Sequence, residues 1–147
     1  VREALRSGDV ARVAIYLGRL FELPGRVKRG VGRGKQLGIP TANLEVWEER
    51  AVPGIGVYAC LVDLDGERKP AVVNIGVRPT FGETVSVPVV EAHLLDFEGD
   101  LYERELKLVF VDRLRDEHRF SGPDALIDQI GRDIQRAREL LGRVELA

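Results

Sequence analysis

The sequence predicts a mostly β fold: a small antiparallel sheet closed into a barrel, with one long helix packed outside it and a short helix ahead of it. Three observations lead there. From Gly25 to Arg113 the apolar residues come in short runs punctuated by Gly, Pro and Asp. Two of those runs flank Asp65-Gly66, a strong short-range hairpin signal. Only the C-terminal segment carries helical periodicity over a long stretch.

In chain order, Ser7-Gly8-Asp9 offers an N-cap, and Val10, Val13, Ala14 and Leu17 recur at helical spacing until Gly18 stops them. One short helix is expected there. Val27 and the run from Thr41 to Val46 lie on the two sides of a glycine-rich loop and read as strands. Gly56 to Leu64 and Arg68 to Ile75 form the hairpin arms, and Val85 to Leu95 and Glu105 to Val111 supply two more strands. Ser121, with Asp124 three residues on, is expected to cap the long helix over 121–142. Its apolar stripe is Leu126, Ile130, Ile134, Ala137 and Leu141.

The chain has 147 residues, the length of one domain with a real core. Twenty-two basic residues against 24 acidic ones give a net charge of −2, so no global field points to nucleic acid. Basic residues do cluster, at Arg26, Lys28, Arg29, Arg33 and Lys35, but without the interleaved aromatics of a base-stacking platform; an RNA-binding barrel is a weak rival. The single cysteine, Cys60, cannot form an internal disulfide, which fits a reducing cytoplasm. No apolar stretch is long enough for a membrane-spanning helix and no signal-peptide pattern opens the chain, so neither membrane nor nucleic acid is an expected partner. The first residue is Val1 rather than Met, as in a piece of a longer protein.

The chemistry concentrates in Gly30-Val-Gly-Arg-Gly-Lys-Gln-Leu-Gly-Ile-Pro-Thr-Ala-Asn43, where four glycines precede or interrupt two cations and two oxygen-bearing side chains. Gly30, Gly32 and Gly34 let backbone N–H groups approach an anion, and Arg33 and Lys35 add positive charge. Thr41 and Asn43 are two apart, so on an extended segment they leave the same face and can converge on a hard cation such as Mg²⁺. The run is not a Walker loop, because Arg29 and Gln36 stand where that motif needs Gly and Ser or Thr. Nor does it open into a helix as a dinucleotide fingerprint does, since Gly38 and Pro40 interrupt it. A plain glycine turn between strands is the alternative.

Gly25-Arg-Val27, the glycine run and Pro40-Thr-Ala-Asn43 resemble the signature of the riboflavin kinase family. The likeness continues in order through Asn74-Ile-Gly-Val-Arg-Pro-Thr-Phe81, Val90-Glu-Ala-His-Leu-Leu-Asp-Phe97, Leu101-Tyr102, and Leu114-Arg115 with Glu117 and Phe120. The resemblance implies a closed six-stranded barrel and transfer of the ATP γ-phosphate to riboflavin, giving FMN and ADP, with Mg²⁺ as cofactor. It implies a catalytic Glu91; nucleotide contacts from Gly30, Gly32, Lys35, Thr41, Leu94, Asp96 and Tyr102; metal ligands Thr41 and Asn43; and flavin contacts from Arg115, His118 and Phe120. Residues 1–24 resemble the junction to an FMN adenylyltransferase domain in bifunctional bacterial enzymes, which leaves 25–147 as the kinase domain with a barrel over 25–120. An N-terminal helix of a free-standing kinase is the other reading. Glu103 stands where the family usually has Gly, and His118 where it often has Lys.

The residues by themselves leave several of these roles open. Glu91 sits in a strand of valines and leucines, where a carboxylate is expected to be paired or to face a cavity, and strand alternation puts it on the face of Val87, Val89, His93 and Leu95. A pair on the solvent face is the alternative. His93 reads as structural, since two histidines and one cysteine do not make a zinc site. Asp96 can equally belong to a solvated turn; Arg113, Arg115 and Arg119 to a basic turn; and Phe120 to a hydrophobic staple onto the helix. A non-catalytic flavin-binding barrel is the rival from another functional class.

Overall fold

The computed structural model describes residues 2–28, 41–46, 51–79, 86–95, 104–117 and 121–142. The elements run α1 (Arg2–Ser7), α2 (Val10–Leu17), β1 (Phe21–Lys28), β2 (Thr41–Glu45), β3 (Gly56–Leu64), β4 (Glu67–Pro79), β5 (Ser86–Leu94), β6 (Glu105–Arg115) and α3 (Pro123–Leu141). The six strands close into a barrel in the order β1-β2-β5-β4-β3-β6, and β6 pairs back onto β1. Every pairing is antiparallel. Closure leaves no free sheet edge among the described strands.

Alternation along the strands makes the two surfaces. Leu23, Tyr58, Val73, Ala92, Leu94 and Phe110 belong to the interior cluster, which Val10 of α2 joins from one end. Tyr58 and Phe110 meet edge to face with ring centroids 5.3 Å apart, and the Tyr58 hydroxyl donates to the Gly54 carbonyl at 2.5 Å. On the outside, Val57, Ala59, Leu61, Val72 and Val109 pack beneath Ala137 and Leu141 of α3. Strand β3 is therefore buried on both faces, which explains why its sequence is an apolar run rather than an alternation. Cys60 faces inward, and burial pushes its thiol well above the ordinary range, so it is inert packing.

The β3–β4 turn is as expected: Asp65 and Gly66 have φ of 52° and 81°, the two positive values of a type I′ hairpin. Asp9 caps α2 by accepting from the Arg12 N–H, and Gly18 ends it in the left-handed conformation.

Four expectations are corrected. The N-terminal segment holds two helices rather than one. The additional helix, α1, is only six residues long and depends on docking: Gly54 donates to the Leu5 carbonyl at 2.9 Å, and a Cβ at Gly54 would lie 2.0 Å from the Arg6 carbonyl oxygen. Strand β1 begins at Phe21, so the barrel starts before Gly25 and residues 21–24 are part of its wall. Gly122, not Ser121, is the N-cap of α3; it makes no side-chain cap bond, and Pro123 starts the helix with the φ that a first turn needs. Finally, β6 runs past the expected end at Val111 to Arg115, which places Arg113 and Arg115 in the strand and removes the alternative of a basic turn for those two.

Candidate active site

Three residues from three strands form one row on the outer face of the barrel. Asn43 of β2 is directly opposite Glu91 of β5, and Glu91 is directly opposite Asn74 of β4. The row continues through Val57 of β3 to Arg115 of β6. The next row places Thr41 opposite His93, and His93 opposite Val72. Neighbouring strands are about 4.8 Å apart. The register therefore puts an amide on each side of the Glu91 carboxylate within side-chain reach.

Glu91 and His93 share the outer face while Val90, Ala92 and Leu94 point into the barrel. The outward face is not an open surface here. The side chains of Glu91 and His93 are 18% and 13% exposed, too little for a solvated surface pair. A carboxylate so enclosed needs a functional or paired setting. His93 Nε2 is 3.8 Å from Glu91 Oε1. Burial pushes the imidazole down to about 4, with the negative charge of Asp133 opposing that shift. At neutral pH the contact is thus a neutral ring beside the carboxyl group, in keeping with a structural His93.

This burial has a consequence for acid stability. The unfolded chain takes up a proton at His93 near pH 6.5, the folded chain only near pH 4. Folding should therefore weaken as pH falls from about 6.5 to about 4, by up to about 3 kcal/mol. His93→Gln is expected to flatten that part of the profile, read from urea midpoints at pH 7 and 4.5. An unchanged slope would contradict a neutral buried imidazole.

Arg115 is held in place by the helix. Its Nε donates to Asp133 Oδ1 at 3.0 Å and its Nη2 to Asp133 Oδ2 at 2.8 Å, while Nη1 donates to the Asp116 carbonyl at 2.9 Å. Asp133 is 5% exposed and accepts a further bond from Gln129. Such a fork-to-carboxylate pair fixes the guanidinium plane. Sequence reasoning missed Asp133, although a signal was present: with Ile130, Ile134 and Ala137 it occupies one helix face, and an acid inside an apolar stripe is anomalous. It also gave no separate weight to Asn74, a carboxamide among Ala71, Val72, Val73 and Ile75 that the register sets opposite Glu91.

Asn43 and Glu91 are brought together, and the Thr41 backbone lies one row along, though the Thr41 side chain is outside the described residues. Leu94 is 1% exposed with its side chain in the barrel interior, so only its backbone can face a nucleotide. Gly30, Gly32, Lys35, Asp96, Tyr102, His118 and Phe120 lie outside the described residues, as does Glu103. Among the described residues no cluster of His, Cys, Asp and Glu could hold a metal. The register does set the carboxamide of Asn43 opposite the carboxylate of Glu91, so both side chains offer oxygen, the donor type that hard divalent cations take. No helix among the described residues is long and apolar enough to cross a membrane.

Comparison with known proteins gives this arrangement its family. Residues 17–141 match the riboflavin kinase (Flavokinase) family. A bifunctional riboflavin kinase/FMN adenylyltransferase of Pseudomonas fluorescens is 46% identical over 140 residues, covering 95% of this chain and 44% of that protein. A solved structure described as a macrolide-efflux protein from Streptococcus pneumoniae superposes with a TM-score of 0.88 at 31% identity, over 93% of this chain and 44% of that one. Riboflavin kinase from Trypanosoma brucei shares the fold, with a TM-score of 0.58 at 24% identity over 85% of this chain and 82% of that one. The chain spans less than half the length of the curated relatives it matches. With the closed six-stranded barrel, the Asn43–Glu91 juxtaposition and a match covering most of its length, the chain belongs to the riboflavin kinase family.

Proposed function

We propose that this chain catalyses transfer of the γ-phosphate of ATP to the 5′-hydroxyl of riboflavin, giving FMN and ADP. The observation that carries the reading is the register of β2 and β5, which sets Glu91 against Asn43 on an enclosed outer face. Glu91 accepts the proton of the ribityl 5′-hydroxyl as that oxygen attacks the γ-phosphorus. Enclosure keeps competing water from the carboxylate. Thr41 and Asn43 would hold Mg²⁺, which would supply charge neutralisation for the phosphates. Gly30, Gly32 and Lys35 cradle those phosphates, and Asp96, Tyr102 and the Leu94 backbone border the nucleotide. Arg115, fixed by Asp133, forms part of the flavin wall with His118 and Phe120.

Incubating the purified chain with riboflavin, ATP and Mg²⁺ and separating the flavins by chromatography tests the reading. FMN with equivalent ADP is expected; flavin binding without turnover would instead indicate a non-catalytic flavin barrel. Residues 1–24 are proposed to connect this unit to an FMN adenylyltransferase of the kind named in the Pseudomonas relative. FAD formation by this chain alone would count against that division of labour.

Thr41→Ala and Asn43→Ala should each raise the Mg²⁺ and ATP concentrations needed for half-maximal rate by about tenfold or more, since losing even a residue that only supports a metal ligand typically costs about 10- to 100-fold. Riboflavin affinity, followed by its fluorescence, should change far less. An unaltered Mg²⁺ dependence in both variants would remove the metal assignment.

A further inference from the structure

Strand β4 reads Ala71-Val-Val-Asn-Ile75, and alternation sends Val73 and Ile75 into the barrel while Val72 packs beneath α3. Asn74 occupies the next outward position, where another apolar side chain would pack well. Its Oδ1 is buried and, among the described residues, has no hydrogen-bond partner. Such an acceptor is costly, and native proteins leave few of them. A donor supplied by a bound molecule accounts for it.

The row identifies that molecule. Asn43 flanks Glu91 on one side and Asn74 on the other; beyond Asn74 come Val57 and then Arg115. If phosphate and cation lie on the Asn43 side and the flavin ring on the Arg115 side, the polyhydroxyl chain joining ring to reacting oxygen must cross β4. We infer that Asn74 accepts a hydrogen bond from a secondary hydroxyl of the ribityl chain, holding the chain so that its terminal hydroxyl rests at Glu91. Asn74 is then a substrate-binding residue that selects for a hydroxylated chain, an inference that rests on the riboflavin kinase reading above.

The test compares riboflavin with flavins lacking one secondary ribityl hydroxyl at a time, using wild type, Asn74→Val and Asn74→Ala. Val removes the amide while suiting a strand better than Asn does, and Ala removes it without adding bulk. Wild type should lose about 10- to 100-fold in kcat/KM for one analogue, the consequence of leaving a buried acceptor unpaired. The Asn74 variants should lose a similar factor for riboflavin, show no further loss with that analogue, and keep their KM for ATP. A merely structural role would depress riboflavin and every analogue alike, and that result overturns the inference. A flat analogue series with wild type also overturns it, whether or not either variant folds. If wild type forms no FMN, the kinase reading fails by itself; fluorescence titration of the same analogues still decides the contact, since binding indifferent to every hydroxyl refutes it.

Discussion

Glu91→Gln is expected to lower kcat by about 10²- to 10⁴-fold, the usual worth of a positioned general base. Gln keeps the length of the side chain and a hydrogen-bonding oxygen but cannot take up the proton, so riboflavin affinity should survive. The expectation rests on enclosure: at 18% exposure, opposite Asn43 and Asn74, the carboxylate is placed to meet a ligand rather than bulk water. Steady-state turnover and flavin fluorescence titration on the same variant decide it. Turnover near that of wild type would eliminate the role. An exposed ion pair would change stability by at most about 1 kcal/mol and leave turnover alone.

Asp133→Ala should cost about 3 to 5 kcal/mol of stability, the usual penalty for removing one partner of a buried ion pair. Asp133 is 5% exposed and accepts from two guanidinium nitrogens of Arg115 and from Gln129, so Ala strands the Arg115 charge against the helix. For a chain of this length that corresponds to a fall in Tm of roughly 10 °C or more. Replacing both partners by apolar residues, Arg115→Met with Asp133→Leu, should recover much of the loss, because no unpaired charge then remains. Flavin affinity should stay low in the double variant if the fixed guanidinium forms part of the ring's wall. A single-variant loss below about 1 kcal/mol in urea unfolding would show that the pair is effectively solvated.

The elements read most directly from sequence are those specified by neighbours along the chain. Asp65-Gly66 makes its turn because both residues tolerate positive φ; Asp9 and Gly18 bracket α2 through contacts within a few residues; and Ala137 and Leu141 follow a helical period. The missed features depend on distant partners. Helix α1 is too short to stand alone and exists against Gly54, while the polar end of β6, Asp112-Arg-Leu-Arg115, looks like a turn until Val57 pairs with it and Asp133 takes its charge.

For the site, sequence pattern singled out Thr41, Asn43 and Glu91 as chemically informative, and it put Glu91 and His93 on one strand face. It could not say which face was which, since both faces of β5 are mixed. Barrel closure decided that: Val90, Ala92 and Leu94 fill the interior, so Glu91 must leave outward. Register then decided who meets whom, setting Asn43 and Asn74 on either side of Glu91 although they lie 48 and 17 positions away in the chain. Local sequence determines strand, turn and helix because φ/ψ preference and side-chain period act over a few residues. The partners of a side chain across a sheet are determined only when the whole set of strands finds the one register that buries its apolar face.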